Sequence, residues 1–525
     1  MGRRVSGRDR LSREQGFLVK DWGGRLPLAI VYPNSYYIGM SNLGVHSLYR
    51  ILNSCADVVA ERFFWEEDGS PLLSLESDRP LSDFAAIAFS ISFELDYLNV
   101  PRILRAAGIP LYAAERDERH PLIIGGGACI TANPAPLSPF FDCLCIGEAE
   151  PLLPPLLRVL KNGSRDEKLA ALSLLPGCYV PQLNEKKTVA RQWAEDLDSF
   201  ATTSAVVTPD TEFGDLYLIE VERGCAYGCR FCLAGAAFCP QRHRSLEGLL
   251  AQAAEGLKYR KRLGLVGPVV SSYPHLEDLL LRLRQMGAGY SISSLRVKPL
   301  PRSLVRELAL GGVNSLAIAP EAGSERLRRL IGKNISEDDV LKAVENIADE
   351  RIGQLKLYLM LGLPTETDDD VEAIIDLALK CKKVMDSSGH GGRLSLNVAP
   401  FVPKAGTPFQ WLSMEDTSVL KKRLKRLERG LQPYGVKVKA ESIAWSQVQA
   451  VFARGDSSLA PVLAAVAEVS LPGWRRAARE QGLDIDYYAH QRWPLDKELP
   501  WAGIDLGTSR QRLEAELKRA LGDLP

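Results

Sequence analysis

Apolar residues along this chain follow two alternating rhythms. Short apolar runs bounded by glycine, proline or small polar residues read as strands. The segments between them carry apolar positions three and four apart, which reads as helix. LPLAIVYPN (26–34), DFAAIAFSIS (83–92), HPLIIGGGA (120–128) and DCLCIGEAE (142–150) form a first set of strands. The helical patterns GVHSLYRILNS, LDYLNVPRILRAAG and PLLPPLLRVL lie between and after them. Glycines gather where these strands pass into loops, as in doubly wound α/β folds.

A second set begins with DLYLIEVERG. GLVGPVVSS (264–272), YSISSLRV (290–297), SLAIAPEAG (315–323) and QLKLYLMLGLPTET (354–367) follow, each ahead of a helix-period segment. RLSLNVAPFVP (393–403) closes the set at six strands, a partial (β/α)6 TIM-like barrel. The expected fold class is therefore α/β. Residues 1–165 read as a Rossmann-like doubly wound domain, 166–212 as a linking segment, 213–432 as the barrel and 433–525 as a small helical domain.

Composition adds constraints. The chain has 525 residues, too many for one core. It carries 65 basic and 65 acidic side chains, so no global charge calls for nucleic acid or an anionic membrane. No apolar run approaches the roughly 20 residues that span a bilayer, and a cytoplasmic location is expected. Cysteines in such a chain are free, metal-bound or catalytic more often than disulfide-bonded.

Three of the ten cysteines fall in CAYGCRFC (225–232), directly after a strand. A structural zinc site wants four ligands, usually as two separated pairs. Cys239 lies nearby, but after a helical run of small residues. Reading only Cys229 and Cys232 as a redox pair ignores Cys225. Three thiolates on one short loop suit a [4Fe–4S] cube with one iron left open. A loop at the C-terminal end of a barrel strand is where β/α barrels carry their chemistry.

The spacing C-x3-C-x2-C, with Phe231 before the last cysteine, resembles the signature of the radical S-adenosylmethionine (SAM) superfamily. That resemblance implies an enzyme in which Cys225, Cys229 and Cys232 hold the cluster and SAM chelates the open iron. One electron then cleaves the sulfonium to a 5′-deoxyadenosyl radical. It also implies an electron donor such as flavodoxin or ferredoxin. APEAGSERLR resembles the fourth-strand segment of the superfamily and places Glu321 near the ribose. LMLGLPTET resembles the segment flanking the adenine, with Gly362 allowing close approach. NVAPFVPKAGTPFQW resembles the sixth-strand region of cobalamin-type members and of tRNA methylthiotransferases, making Asn397 and Lys404 candidates. Backbone near Phe231 joins the SAM cradle. The second strand departs from the family pattern: it ends in SSYPH rather than Gly-Gly-Glu. Ser271 and Ser272 are candidates there through their carbonyls, and Arg296 through a fork to the methionine carboxylate.

The order GGG, IGEAE, then barrel is similar to the cobalamin-binding half of cobalamin-dependent radical SAM proteins. The whole layout resembles an uncharacterised bacterial family with those parts. Tyr36, Gly39, Ser90, Gly125, Gly126, Gly127, Gly147 and Glu148 are the candidate cobalamin contacts. Cobalt-ligating domains carry Asp-x-His-x-x-Gly after the first strand; here NSYYIG puts Tyr36 at the histidine position. Cys129, Cys143 and Cys145 are expected to be small buried residues. Methyl transfer to an unactivated carbon is the leading expectation. Cobalamin-free radical modification of RNA or a ribosome-related substrate is the alternative within enzymes. A non-catalytic iron–sulfur or redox-sensing protein is the alternative outside them. The substrate, RNA or a small molecule, is open.

Overall fold

The computed structural model describes residues 7–184, 187–293, 295–389 and 391–522. They form two compact units. The first takes in the chain up to Leu218 with Phe452–Ile485 and Glu498–Thr508. The second comprises Ile219–Val451, Asp486–Lys497 and the chain from Ser509 onward.

The first unit is built on a six-stranded sheet. Its strands are β1 (Leu26–Tyr32), β2 (Val58–Phe64), β3 (Ala86–Ser90), β4 (Leu122–Gly126), β5 (Cys143–Cys145) and β6 (Cys178–Tyr179), in spatial order β2-β1-β3-β4-β5-β6. The pairings from β2 through β5 are parallel, and β6 runs antiparallel to β5. Parallel strands covered on both faces need to be apolar throughout. Ala29, Ile30, Val31, Val59, Phe63, Ile87 and Ile123 are accordingly at most 1% exposed. The strand order reverses between β1 and β3, the kind of crevice where doubly wound sheets take ligands.

Sequence patterning missed β2. Its centre, Glu61-Arg62, reads as solvent-facing, yet Arg62 is 1% exposed. Glu14 and Glu76 neutralise it, each at 2.6 Å. The 166–212 stretch lies within this unit, where Val189–Ala190 pairs with Ile504–Asp505. The C-terminal stretch is shared out between the two units. Asn133 donates to the carbonyls of Ala453 and Gly455, and Tyr97 stacks on Phe452, which draws that segment into the first unit.

The second unit is entered by β7 (Leu216–Glu220), followed by β8 (Arg262–Val266), β9 (Gly289–Ile292), β10 (Ser315–Glu321), β11 (Gln354–Leu361), β12 (Arg393–Pro400) and β13 (Lys437–Ala440). Strands β7 to β9 form one run and β10 to β13 another, joined by a parallel bridge between Leu295 and Ile318. The pairings of β8 with β9, and from β10 through β13, are parallel. Helices Leu276–Gln285, Arg302–Leu310, Glu337–Asp349, Asp368–Ser387 and Thr417–Leu431 lie between the strands. All six expected barrel strands are present, and β13 is a seventh. KVKA is too short and too charged for its pattern to mark it, and pairing with β12 holds it in place.

Alternation on the later strands sorts their two faces. Leu355, Leu357 and Leu359 are at most 2% exposed, while Lys356 and Tyr358 between them are half-buried. Register sets Lys356 beside Ser395 and Tyr358 beside Asn397, so one face of these strands is polar. Among the described residues, no helix is long and apolar enough to cross a membrane.

Candidate active site

The cysteine loop begins where β7 ends. Glu222–Arg223 pairs antiparallel with Arg242–His243, which folds the chain back over the strand end. Gly224 makes the turn possible. Its φ is +81°, and a Cβ there would lie 2.3 Å from the carbonyl oxygen of Phe238. L-residues resist that conformation, and the backbone leaves no space for a side chain. The Cys232 amide then closes a turn on the Cys229 carbonyl at 3.1 Å.

Arg230 fixes this loop from behind. Its guanidinium donates to the carbonyls of Arg329 and Leu330 at 3.0 and 2.7 Å, and to Glu516 at 3.2 Å. Those carbonyls end the helix Glu325–Leu330, where a cation is electrostatically favoured. The Arg230 amide donates to Ile331 and its carbonyl accepts from Phe409. Five contacts on one residue hold the middle of the cysteine loop in place.

That cavity has a volume of about 200 Å³. Cys225, Cys229, Cys232 and Phe231 line it together with Arg296, Glu321 and Lys333. Burial pushes the Cys225 thiol up to about 11 and the Cys229 thiol up to about 12. Positive charge at the sulfurs would reverse that, because ligation to iron deprotonates a thiol. Cys239 plays another part: its thiol donates to the Gly235 carbonyl at 2.7 Å and to the Cys225 carbonyl at 3.4 Å.

Glu321 ends β10 with φ +67°, beside a break in register between Ile318 and Glu321. A non-glycine residue in this region is strained and is held there by its surroundings. Lys333 Nζ donates to Glu321 Oε1 at 2.9 Å and to the Ala319 carbonyl at 2.7 Å. Lys333 was missed by sequence reasoning. It follows a helix rather than a strand, so strand-end logic did not reach it.

Arg296 also lines the cavity, with its guanidinium 3.2 Å from the centre of the Tyr227 ring. Burial holds Arg296 below the usual arginine range. The neighbouring serines stand outside the lining. Ser271 Oγ accepts from the Arg296 amide at 3.0 Å. Ser272 Oγ accepts from Gln241 at 3.0 Å and donates to the Val269 carbonyl at 2.9 Å. Pro268 and Val269 line the cavity in their place. Gly362 has φ +78°, and a Cβ would meet Glu415 and Leu420 at 2.8 Å, so it serves packing on the helix that follows β12. Asn397 carries a buried Oδ1 with no hydrogen-bond partner, as does the Ser395 hydroxyl two residues earlier on the same strand. Buried acceptors without partners are costly, and an arriving donor would relieve the cost. Lys404 gives its carbonyl to the turn closed by Thr407.

The chain matches the family model described as "Radical SAM proteins, N-terminal" over residues 44–181 and that of the radical SAM superfamily over 219–378. It is 33% identical over 438 residues to an uncharacterized protein of Methanocaldococcus jannaschii, covering 83% of this chain and 90% of that one. The chain belongs to the radical SAM superfamily. An uncharacterized methyltransferase of Pyrococcus horikoshii is 23% identical over 60% of this chain and 70% of its own length. In fold, the chain is similar to the radical SAM methyltransferase TsrM from Kitasatospora setae with cobalamin and [4Fe-4S] cluster bound. The TM-score is 0.50 at 12% identity, covering 71% of this chain and 72% of that one.

This radical SAM enzyme has the donor set its cofactors need. Three cysteine sulfurs border a cavity that also holds a carboxylate and two cations. When bound, the cluster and SAM supply one-electron cleavage of the sulfonium. The protein's part is to hold the thiols, to hold SAM against them and to keep water out. A reductant and a substrate complete the system.

In the first unit, the candidate cobalamin contacts lie at or just beyond the C-terminal ends of β1, β3, β4 and β5, with Ser90 and Gly126 as register partners. Tyr36 is buried, its hydroxyl donating to Glu14 at 2.6 Å and its ring packed on Phe64. A Cβ on Gly39 would strike the Phe64 ring at 2.3 Å, and one on Gly125 would strike Leu144 and Phe141 at 2.8 Å. Gly127 (φ +114°) and Gly147 (φ +125°) lie against the chain's own carbonyls, those of Ile91 and Gln192. Glu148 accepts from the Ala194 amide at 3.0 Å. Gly126 has room beside Cys145, and Ser90 is buried at the end of β3.

Proposed function

We propose that this enzyme transfers a methyl group to an unactivated carbon and binds cobalamin on its first unit. The observation that carries the reading is the strand order β2-β1-β3-β4-β5, with its switch point between β1 and β3, in the same chain as the cluster loop. Tyr37 and Ile38, on the short helix Tyr36–Gly39 after β1, and Phe93, on the loop after β3, are 45%, 42% and 44% exposed. A flat, largely apolar macrocycle needs such a surface. The methyltransferase relative and the cobalamin-bound structure of the same fold support the same chemistry. The glycine run contributes less, because most of it serves the sheet's own packing.

NSYYIG holds no histidine, and the Tyr36 hydroxyl donates to Glu14, so cobalt would take no imidazole from this loop. Cobalamin would be held by its periphery. In the second unit, Glu321 would accept from the ribose hydroxyls and Arg296 would pair with the methionine carboxylate. Asn397 and Ser395 would meet substrate or adenine on the polar face of β12. Electrons would come from a flavodoxin or ferredoxin in the cytoplasm.

The test is anaerobic purification, reconstitution with iron and sulfide, and loading with hydroxocobalamin. The expected result is a stoichiometric corrin spectrum beside the cluster shoulder, weakened in Phe93→Asp. An iron–sulfur spectrum with no retained corrin would overturn the cobalamin reading and leave SAM cleavage standing.

A further inference from the structure

A second group of thiols lies apart from the cluster loop. Cys143 and Cys145 stand on β5 and Cys178 on β6, with Cys145 directly opposite Cys178 in the antiparallel pairing. Residues two apart on a strand share a face, so Cys143 joins them. The three sulfurs all lie within 4.8 Å of one another. Among the described residues, no other three cysteine, histidine or carboxylate side chains are gathered so tightly, the loop cysteines included.

The spacing discriminates between kinds of metal centre. Thiolates at about 2.3 Å from one ion stand about 3.8–4.0 Å apart, whether tetrahedral or trigonal. Thiolates on separate irons of a cube stand farther apart, as the loop cysteines do. The trio therefore matches a mononuclear centre. None of the three is in a disulfide. Cys143 and Cys178 are buried with Leu153, Leu156 and Val180, and Cys145, partly buried, packs against the same cluster. The donors are all sulfur, which selects soft ions.

We propose that Cys143, Cys145 and Cys178 hold one thiophilic d10 ion, Zn(II) or Cu(I), as a second metal centre separate from the cluster. Three thiolates complete a trigonal Cu(I) site. For Zn(II) a water at the Cys145 side would be the fourth ligand. The ion replaces the thiol protons, which pass to solvent, and no electrons move. Its structural effect is to pin β6, a two-residue strand, to the parallel sheet. The reading is independent of the proposed reaction.

The test uses the full-length chain with Cys225, Cys229 and Cys232 all changed to serine, so that the loop cannot compete. It is kept anaerobic, offered Zn(II) or Cu(I), desalted and analysed for metal. About one equivalent of one of the two ions is expected, and which one is retained identifies the ion. Co(II) should give a sulfur-to-metal charge-transfer band that loses about a third of its intensity for each thiolate removed. Cys145→Ser, at the partly exposed position, should weaken binding by at least about tenfold and abolish the rise in Tm on metal addition. Cys55→Ser should change neither. Absence of stoichiometric Zn(II) and Cu(I), uptake unchanged in both Cys145→Ser and Cys178→Ser, or a disulfide within the trio in anaerobically isolated protein would each overturn the proposal.

Discussion

Glu321 joins a left-handed backbone to a carboxylate held by Lys333, at the end of a barrel strand. Resemblance named this position, while the strain and the lysine were visible only in three dimensions. A charged hydrogen-bond partner contributes about 1.5–3 kcal/mol. Glu321→Ala should therefore raise the Kd for SAM by about tenfold to a hundredfold, measured by equilibrium binding to reconstituted protein. Lys333 keeps the Ala319 carbonyl in that variant, so iron content should not change. The serines show where a residue-by-residue reading stops. Ser271 and Ser272 occupy the expected strand end, but their hydroxyls go to Arg296 and Gln241, and nothing in the letters SSYPH foretells those partners. A buried carboxylate in the first unit gives a pH test. Burial lifts Asp96 from 3.8 to about 7, while the Asn34 amide donates to it at 2.7 Å. The folded state thus holds a proton that the unfolded state loses. Stability should fall as pH rises from about 4 to about 7, and Asp96→Asn should flatten that part of the profile. Thermal midpoints at pH 5 and pH 8 measure it.

Elements were legible where burial and periodicity agreed. The barrel strands Gln354–Leu361 and Arg393–Pro400 carry apolar residues at alternate positions over most of their length, and both fall within the expected spans. Strand β2 was invisible because its Glu-Arg centre mimics a surface segment, and burial of that arginine depends on Glu14 and Glu76, both distant in sequence. Removing Arg62 leaves two buried carboxylates facing each other, so Arg62→Ala should cost about 3–5 kcal/mol in chemical denaturation. The cluster loop depends on one backbone conformation. Gly224→Ala puts a methyl group where carbonyl oxygens of Phe238 and Pro240 already lie, at 2.3 and 2.5 Å. That variant should fold but retain less than half the iron of the parent after reconstitution, read as iron per chain, since L-residues resist φ near +81°.

At the scale of the molecule, patterning separated a doubly wound sheet from a barrel, and both are present. It read the C-terminal stretch as a domain of its own because helices of unlike sequence follow the last strong strand. Which segment packs where depends on particular hydrogen bonds, such as those from Asn133, that periodicity does not encode. The cysteine trio was likewise hidden, since Cys178 is 33 residues from Cys145 and only the antiparallel turn of β6 brings them together. The cysteine loop was legible because its three thiols are local in sequence.

Cys225, Cys229 and Cys232 would hold a cluster that drives reductive SAM cleavage in the adjoining cavity. The most direct measurement is 5′-deoxyadenosine release from SAM by anaerobically reconstituted, dithionite-reduced protein, beside Cys229→Ala. Formation by the parent and loss to background in the variant is the predicted result. No 5′-deoxyadenosine from a fully loaded parent, or equal amounts from both proteins, would contradict it.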